Sequence, residues 1–299
     1  MHFNEVDISI ALIKHRSSFI CIQRNKHPYD KYIEFPGGKL DANETSSACI
    51  IRELNEELNI NLKKFKYISS IKHLYDNTLI KINIFKVFQY SGIIKSNENR
   101  NIIVYENNSP YKVLPTHHRI LNTLRIPRLL KILTPNDFDS KNSINLSLYK
   151  NIRLRNISYD YYKSNVEALL IKQNYTGYLT IDYPFNLEWK DNFDGIHYKS
   201  SYLDKFQPTK KISPYLYSAS CHNLEDIKLC NLKLFDYILL SPVLKEHDNH
   251  HPLGWVKFSK LSKKSYMPTY ALGGLSSSGK DLSVAIDNSG YGLAGITQI

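Results

Sequence analysis

The first part of the chain alternates apolar and polar positions in the way that β-strands do. Residues 6–13 (VDISIALI) and 18–23 (SFICIQ) are rich in β-branched side chains, and residues 65–90 contain two further runs of this kind. Two adjacent glycines at 37–38 predict a turn. Residues 45–58 have the apolar spacing of a helix. The apolar residues of that helix are Ala48, Ile51, Leu54 and Leu58.

A change of pattern near Pro127 predicts a domain boundary. Before it, residues 102–106 (IIVYE) predict one more strand and residues 118–126 (HRILNTLRI) a short helix. Because proline interrupts regular elements, we place the boundary there and predict two domains, 1–127 and 128–299.

Beyond the boundary, short apolar runs alternate with helical stretches. Strands separated by helices are typical of βα units and of a parallel sheet. Eight such runs in about 170 residues predict an α/β fold built as a small (β/α)₈ TIM-type barrel, below the usual ~250 residues. The runs are KIL, NIRLR, GYLTID, GIHY, YSAS, YILLSPV, YALGG and LAGI.

The composition is that of an ordinary globular protein. The 299 residues are 42% hydrophobic and 22% charged, with only four cysteines and 12 each of Gly and Pro, which excludes disorder, collagen-like repeats and a disulfide scaffold. No apolar run approaches the roughly 18 to 20 residues that span a bilayer, and we expect no membrane partner. No export signal is visible, and the cysteines lack metal-ligand spacing, so we expect reduced thiols and a cytoplasmic location.

The chain is basic, with 39 Lys and Arg against 28 Asp and Glu, a formal charge of +11. Such a balance is typical of proteins that bind nucleic acid or phosphate. It also accompanies very frequent Asn, Ile, Tyr and Lys along the whole sequence, with no dense basic block, which indicates a compositional bias. We expect no stable nucleic-acid binding, although the charge would attract a small anionic substrate.

The predicted helix over 45–58 carries three carboxylates on one side. At ~100° per residue, Glu53, Glu56 and Glu57 fall within about 100° of one another. They repel each other by a few tenths of a kcal/mol per pair, and a hard cation such as Mg²⁺ would supply the missing charge. Arg52 lies four residues before Glu56 and can pair with it.

The glycines before the helix suit the same chemistry. Gly37 and Gly38 allow a close backbone approach and free a carbonyl as another oxygen ligand. Asp41 and Glu44 place negative charge before the helix, where the dipole favours it. The alternative interpretation is an acidic helix face in contact with solvent only.

The spacing of the whole stretch resembles the Nudix box, G-x5-E-x7-R-E-U-x-E-E-x-G-U, in which U is aliphatic. The matching positions are Gly38, Glu44, Arg52, Glu53, Leu54, Glu56, Glu57, Asn59 and Ile60. Only the penultimate glycine differs, being Asn59, and asparagine also tolerates a left-handed helix end. Over about residues 1–126, the resemblance implies an α/β/α sandwich with a mixed sheet. It also implies hydrolysis of a nucleoside diphosphate linked to another moiety, with Mg²⁺ or Mn²⁺.

The same resemblance implies roles for individual residues. By the pattern of the family, Glu53 and Glu57 are the main metal ligands, Glu56 is a ligand or base, and Arg52 orients Glu56. Gly37 adds its carbonyl to the metal ligands. Family members often supply one more carboxylate from a later loop, for which the candidate is Glu98 in SNENRN.

Within the family, the sequence looks most like the MutT-type 8-oxo-dGTP diphosphatases. The stretch EFPGGK at 34–39 is the usual lead-in of that group, which places Phe35 near the purine and Arg24 on the nucleotide. The group reads the oxidised base with an Asn, where this chain has His117 in PTHHRIL. A neutral imidazole donates one hydrogen bond and accepts one. Alternatively, His117 and His118 are only a polar helix start.

Residues 129–299 resemble the thiamine phosphate synthase and TenI-like barrels. The matching pieces are ILTP, DGIHY, SASCHN, DYILLSPV, HPLGW, YALGG and GLAGI. The resemblance implies a phosphate site at the turns after the last two strands of the barrel, where backbone N–H groups can approach an anion. Its candidates are Gly273, Gly274, Ala294 and Gly295, which could also be simple tight turns. A thiazole or thiamine phosphate is the ligand that this resemblance implies.

The barrel departs from the synthase pattern at two places. A Q-x-R-x-K motif is replaced by RLRNI at 153–157, and a metal-binding G-Q-x-D motif by YKSS at 198–201. His222 matches the catalytic histidine of TenI-type thiazole tautomerases and could move a proton, or it could be a packed residue at a strand end. The HDNHH tract at 247–251 resembles a metal cluster, but we interpret it as a solvated turn.

Three hypotheses follow. The first is a metal-dependent nucleoside triphosphate pyrophosphohydrolase that removes 8-oxo-dGTP from the nucleotide pool and so serves DNA repair and replication fidelity. The second is hydrolysis of another nucleotide-linked or thiamine-related diphosphate, with a barrel active in thiamine or thiazole phosphate metabolism. The third, which we favour for the barrel, is a ligand-binding or regulatory module attached to the hydrolase.

Overall fold

The computed structural model forms two compact units, Met1–Leu124 and Arg125–Ile299. The residues that it describes are 4–75, 78–106, 109–139, 144–184, 191–207, 215–246, 250–277, 279–296 and 299.

The first unit is built on a mixed sheet. Its strands are β1 (Asn4–His15), β2 (Ser18–Gln23), β3 (Ile33–Glu34), β4 (Gly37–Lys39), β5 (Asn61–Tyr75), β6 (Thr78–Ser91) and β7 (Ile102–Tyr105). The strand order is β3-β2-β1-β6-β5, while β4 pairs with β1 and β7 with β2. β1 and β6 run parallel, and the other pairs are antiparallel.

One helix packs on each face of this sheet. The first, α1 (Ser46–Leu58), buries Leu54 and Leu58 against Phe85 and its neighbours. The second, α2 (His117–Arg125), buries Ile120 in a separate core on the opposite face. The α/β/α sandwich with a mixed sheet, predicted from the sequence, is therefore confirmed.

The two glycines at 37–38, predicted as a turn, instead begin a short strand. Ser9 lies opposite Gly38 and Ile10 opposite Gly37 in the β1–β4 ladder. Gly37 has φ +139°, and a Cβ on it would lie 2.1 Å from the Ser9 carbonyl oxygen. Only glycine allows this approach, and it brings the β4 backbone beneath helix α1.

The second unit is a closed parallel barrel. Its strands are β8 (Leu129–Leu133), β9 (Asn151–Leu154), β10 (Tyr178–Asp182), β11 (Gly195–Tyr198), β12 (Leu216–Cys221), β13 (Tyr237–Leu240), β14 (Thr269–Leu272) and β15 (Gly292–Gly295). They pair in chain order, and β15 closes on β8. The predicted TIM-type barrel is confirmed.

The helices of the described barrel segments are short. They are α3 (Pro135–Asp139), α4 (Tyr159–Tyr161), α5 (Glu167–Lys172), α6 (Leu224–Lys233), α7 (Gly254–Ser262) and α8 (Asp281–Asp287). A π-helical turn joins α4 to α5, and 3₁₀ turns cover Leu146–Leu148 and Ser200–Lys205. Throughout the described ranges, no helix has the length and apolar character needed to cross a membrane. All four cysteines are buried and free.

Candidate functional site

Helix α1 holds the acidic residues in fixed positions because both of its ends are capped. The Thr45 hydroxyl accepts a hydrogen bond from the Ala48 N–H at 3.2 Å. At the other end, Asn59 adopts the left-handed conformation with φ 56°, and its N–H bonds back to the Asn55 carbonyl. With the apolar face of the helix buried, the carboxylates lie toward β4 and the loop that follows β6.

Arg52 joins three carboxylates of the predicted motif. Its guanidinium donates to Glu44 at 3.0 and 2.9 Å, to Glu53 at 2.9 Å and to Glu56 at 3.1 Å. It also donates to the Lys39 carbonyl at 3.0 Å. The hydrogen bond from Arg52 lowers the pKa of Glu44 to about 2. Arg52 therefore holds the helix, the preceding loop and strand β4 together.

Glu57 is the buried member of the acidic set. One of its carboxylate oxygens accepts the Gly37 N–H at 2.8 Å, and the other accepts a hydrogen bond from Arg100. Arg100 also pairs with Glu98 at 2.8 Å. Burial raises the pKa of Glu57 to about 7, although Arg100 and the Gly37 N–H act in the opposite direction.

The donor set fits a hard divalent cation. A Cβ on Gly38 would lie 2.2 Å from a carboxylate oxygen of Glu53, so glycine makes the space in which that carboxylate lies against the strand. The other candidate donors, Glu56, Glu57 and the Gly37 carbonyl, are also oxygen ligands, which Mg²⁺ and Mn²⁺ prefer. Within the described ranges, however, no three His, Cys, Asp or Glu side chains converge as a ready metal cluster. The two arginines contact these carboxylates instead.

A cluster of buried aromatic rings, Phe35, Tyr105 and His117, lies in the same unit. The imidazole of His117 is 1% exposed and stacks on Phe35, with ring centroids 4.3 Å apart and planes 8° apart. Tyr105 contacts it edge-on at 4.5 Å. Burial lowers the pKa of His117 to about 3, so the ring is neutral near pH 7. Among the described residues, neither ring nitrogen has a hydrogen-bond partner, an unfavourable state for a buried polar side chain.

Glu34 links this aromatic cluster to the acidic helix. It directly precedes Phe35, accepts a hydrogen bond from Arg24, and lies 3.6 Å from the guanidinium of Arg100. Arg100 also contacts Glu57. Charged groups in contact therefore connect Arg24, which is predicted to bind the nucleotide, with the metal ligands predicted on α1.

In the barrel, the predicted histidine lies at the end of β12. His222 is half-buried, and its Nδ1 donates to the Ser241 carbonyl at 2.8 Å. Its ring stacks on His250 with centroids 4.2 Å apart, and its backbone N–H donates to Asp226. Of the HDNHH tract, His247, Asp248 and Asn249 lie outside the described residues, while His251 is exposed beside Glu246.

The glycines predicted to bind phosphate pack closely against protein atoms. Gly273 and Gly274 have positive φ, and a Cβ on either would approach the 242–245 loop to 3.1 and 2.8 Å. A Cβ on Gly295 would lie 2.4 Å from the side chain of Ile299. Glycine at each of these positions therefore leaves room for the neighbouring atoms at the ends of β14 and β15, and phosphate binding there stays a prediction.

The barrel interior contains a polar group that sequence reasoning did not single out. Arg153 on β9 donates to both carboxylate oxygens of Asp182 on β10 at 2.8 and 3.2 Å, and both residues are buried. His197 on β11 is fully buried between the hydroxyls of Ser218 and Ser220, each at 2.8 Å. Burial holds the pKa of His197 well below its usual value.

Comparison with known proteins gives matches to both units. The model of the NUDIX domain matches residues 4–108, and that of thiamine monophosphate synthase matches residues 151–294. An 8-oxo-dGTP diphosphatase of Buchnera aphidicola is 31% identical over 98 residues, which cover 33% of this chain and 73% of the relative. A protein of Aquifex aeolicus to which thiamine-phosphate synthase activity is ascribed is 30% identical over 141 residues, 46% of this chain and 73% of the relative.

The chain belongs to the Nudix family in its first unit and to the thiamine monophosphate synthase family in its second. A solved structure of thiamine phosphate pyrophosphorylase from Pyrococcus furiosus is 18% identical with a TM-score of 0.45, and the match covers 58% of this chain and 88% of that one.

In the Nudix domain, the predicted residues lie in two connected groups. Glu53 and Glu56 contact Arg52, whereas Glu57 and Glu98 contact Arg100. Arg100 and Glu34 were missed by sequence reasoning, although Arg100 follows Glu98 by two residues and Glu34 opens the EFPGGK stretch. The sequence signal that could have identified Arg100 was its position close to the predicted loop ligand Glu98.

Proposed function

We propose that the Nudix domain is a metal-dependent nucleoside triphosphate pyrophosphohydrolase whose substrate is 8-oxo-dGTP, releasing the monophosphate and pyrophosphate. The observation that carries this proposal is His117, a buried, neutral imidazole stacked on Phe35 with both nitrogens unpaired among the described residues. It lies in the unit that carries the acidic Nudix helix. The 8-oxo-dGTP diphosphatase activity named for the Buchnera relative supports the same assignment.

The acidic helix supplies the catalytic groups. Glu53, Glu57 and the Gly37 carbonyl would hold Mg²⁺ or Mn²⁺, with Glu98 as a further ligand from the following loop. When bound, such a metal neutralises phosphate charge and acidifies a water molecule. Glu56, whose side chain is 53% exposed and held by Arg52, accepts the proton of the attacking water.

The aromatic cluster and Arg24 bind the rest of the nucleotide. Phe35 lies near the base and holds His117 by stacking, and His117 provides one donor and one acceptor for the edge of the base. Arg24, whose guanidinium is fixed by Glu34, binds an anionic or carbonyl oxygen of the nucleotide. Because a buried unpaired group costs about 1–3 kcal/mol, a base that satisfies the imidazole gains affinity over one that does not.

Incubation of the purified full chain with Mg²⁺ and a panel of dGTP, 8-oxo-dGTP, CTP and thiamine diphosphate tests the proposal. We expect 8-oxo-dGTP to be cleaved fastest, with equal amounts of monophosphate and pyrophosphate. Preferential cleavage of another nucleotide or of thiamine diphosphate would favour the alternative Nudix substrate. If all four stay intact, a hydrolase function is wrong.

For the barrel we propose a ligand-binding or regulatory role in a cytoplasmic enzyme of nucleotide-pool sanitation. The buried Arg153–Asp182 ion pair supports this, because Arg153 is held by its own partner rather than open to a diphosphate. Scanning calorimetry of the full chain with a thiazole phosphate or thiamine phosphate tests it. A rise in the unfolding temperature without turnover supports a binding role. Conversion of the ligand supports the catalytic alternative, and no shift contradicts both.

A further inference from the structure

Arg100 is the group around which the buried side of the Nudix site is arranged. One terminal nitrogen donates to Glu57 and pairs with Glu98 at 2.8 Å, and the other lies 3.6 Å from Glu34. The Arg100 side chain is only 10% exposed. One guanidinium therefore contacts carboxylates from α1, from the loop after β6 and from β3.

Arg52 and Arg100 contact different acidic residues. Arg52 contacts Glu44, which precedes the helix, and Glu53 and Glu56 on the helix, of which Glu56 is the exposed one. Arg100 contacts Glu57, whose side chain is 7% exposed. A buried carboxylate without a countercharge is strongly unfavourable, so Arg100 stabilises Glu57 when no cation is present.

A divalent cation at Glu57 would compete with this arrangement. The Glu57 carboxylate already accepts one hydrogen bond from Gly37 and one from Arg100. A divalent cation and a guanidinium that share one buried carboxylate repel each other. The carboxylate attracts the doubly charged cation more strongly than it attracts the singly charged guanidinium. Binding of the cation at Glu57 therefore weakens the hold of Glu57 on Arg100.

The structure also indicates which ligand Arg100 can take in exchange. The Nε of Arg100 is buried without a hydrogen-bond partner in the described part of the chain, and the same is true of the Nε of Arg24. Both guanidinium groups flank Glu34. Planar guanidinium groups with unused donors match the paired oxygens of a phosphate.

We propose that Arg100 is a built-in counter-ion that neutralises Glu57 and Glu98 in the metal-free protein and transfers to the phosphate chain of the nucleotide when a divalent cation takes those carboxylates. This inference rests on the proposed hydrolase function. It makes Arg100 a positioning residue that couples metal binding to polyphosphate binding, a role separate from the ligands and base on α1.

The first test measures Mn²⁺ binding to the full chain without nucleotide, from the paramagnetic resonance signal of free Mn²⁺. Arg100→Gln is expected to bind Mn²⁺ about five- to tenfold more tightly than the unsubstituted protein, because the competing charge is gone. Arg100→Lys keeps the charge and is expected to change the affinity by less than about twofold. Lys95→Gln removes a nearby exposed charge with no carboxylate contact in the described ranges and is the matched control.

The second test measures binding of inorganic tripolyphosphate by titration calorimetry at saturating Mg²⁺. This ligand has no nucleobase, so only the contacts to the phosphate chain are measured. Both Arg100 variants are expected to bind it about tenfold more weakly, whereas Lys95→Gln stays within about twofold. If Arg100→Gln does not fold, Arg100→Lys still tests the inference through this loss.

The outcomes separate the inference from the proposed function. If the unsubstituted protein binds Mn²⁺ and hydrolyses nucleotide while Arg100→Gln leaves both affinities unchanged, the inference is wrong and the function stands. Weaker Mn²⁺ binding by Arg100→Gln would also overturn it, since Arg100 would then support the metal site. If neither protein binds Mn²⁺ or cleaves any nucleotide, both are wrong.

Discussion

The imidazole of His117 lies flat against the ring of Phe35, with centroids 4.3 Å apart, and is almost completely removed from solvent. Phe35 is in turn one residue from Glu34 and two from Gly37, which contact Arg100 and Glu57. A single short stretch of backbone therefore joins the aromatic cluster to the residues that contact the acidic helix.

Burial of His117 makes the Nudix domain sensitive to acid. The pKa of His117 is about 3 in the folded protein and about 6.5 when unfolded, so the unfolded state binds the proton more readily below pH 6.5. Its contribution to stability is complete above pH 6.5 and is lost progressively toward pH 3. Between pH 7 and 4.5, the unsubstituted protein should lose about 2.5 kcal/mol more unfolding free energy than His117→Gln.

Denaturant unfolding across that pH range gives the measurement, with substitution of the exposed neighbour, His118→Gln, as the control. Parallel pH profiles for the unsubstituted protein and His117→Gln would show that the imidazole is not held neutral by burial.

The departure from the Nudix box at Asn59 should be structurally neutral. Asn59 ends helix α1 in the left-handed conformation at φ 56°. Because glycine adopts this conformation without strain, Asn59→Gly should change the unfolding free energy by less than about 0.5 kcal/mol, whereas Asn59→Val should cost about 1–2 kcal/mol. Chemical unfolding measures both. Equal stabilities for the two variants would contradict a requirement for the left-handed cap.

Removing one partner of the buried ion pair of the barrel should lower the free energy of unfolding more than replacing both partners with apolar residues. Asp182→Asn leaves the Arg153 charge buried without its partner and should lower stability by about 3–5 kcal/mol. An apolar pair, Arg153→Met with Asp182→Leu, should recover at least about half of that loss. Calorimetric unfolding measures both proteins.

The exposed ion pair Lys163–Glu167 provides the comparison for that prediction. Lys163→Gln should cost less than about 1 kcal/mol, because solvent screens the pair. A loss as small for Asp182→Asn would mean that the interior pair is hydrated.

His222 lies in the barrel, and all the residues proposed for hydrolysis lie in the Nudix domain. We therefore expect His222→Ala to leave the rate of nucleotide hydrolysis within about twofold of the original, a change of less than roughly 0.5 kcal/mol in activation free energy. Steady-state assays with Mg²⁺ measure this. A loss of about tenfold or more would show that the two units act together.

Much of the fold was predictable because the decisive signals are local. Helix α1 follows from apolar spacing between Thr45 and Asn59, and the eight barrel strands follow from short apolar runs separated by helices. Strand β4 was missed because its conformation depends on a contact with Ser9, which is distant in sequence.

The candidate site was predictable only where one element carries it. The acidic residues of α1 are visible at fixed spacing, but Arg100 approaches Glu57 from 43 residues away and Glu34 from 66. Contacts between distant segments were therefore what sequence reasoning lacked.

The role of Glu53 tests the account most directly, through the rate of pyrophosphate release from 8-oxo-dGTP with saturating Mg²⁺. Glu53→Gln keeps the shape of the side chain and removes the charge that a metal ligand needs, so the rate should fall by about a hundredfold or more with the fold intact. Glu5→Gln, an exposed substitution on β1, should keep the full rate. Retention of more than about a tenth of the rate by Glu53→Gln would contradict a metal-dependent hydrolase built on helix α1.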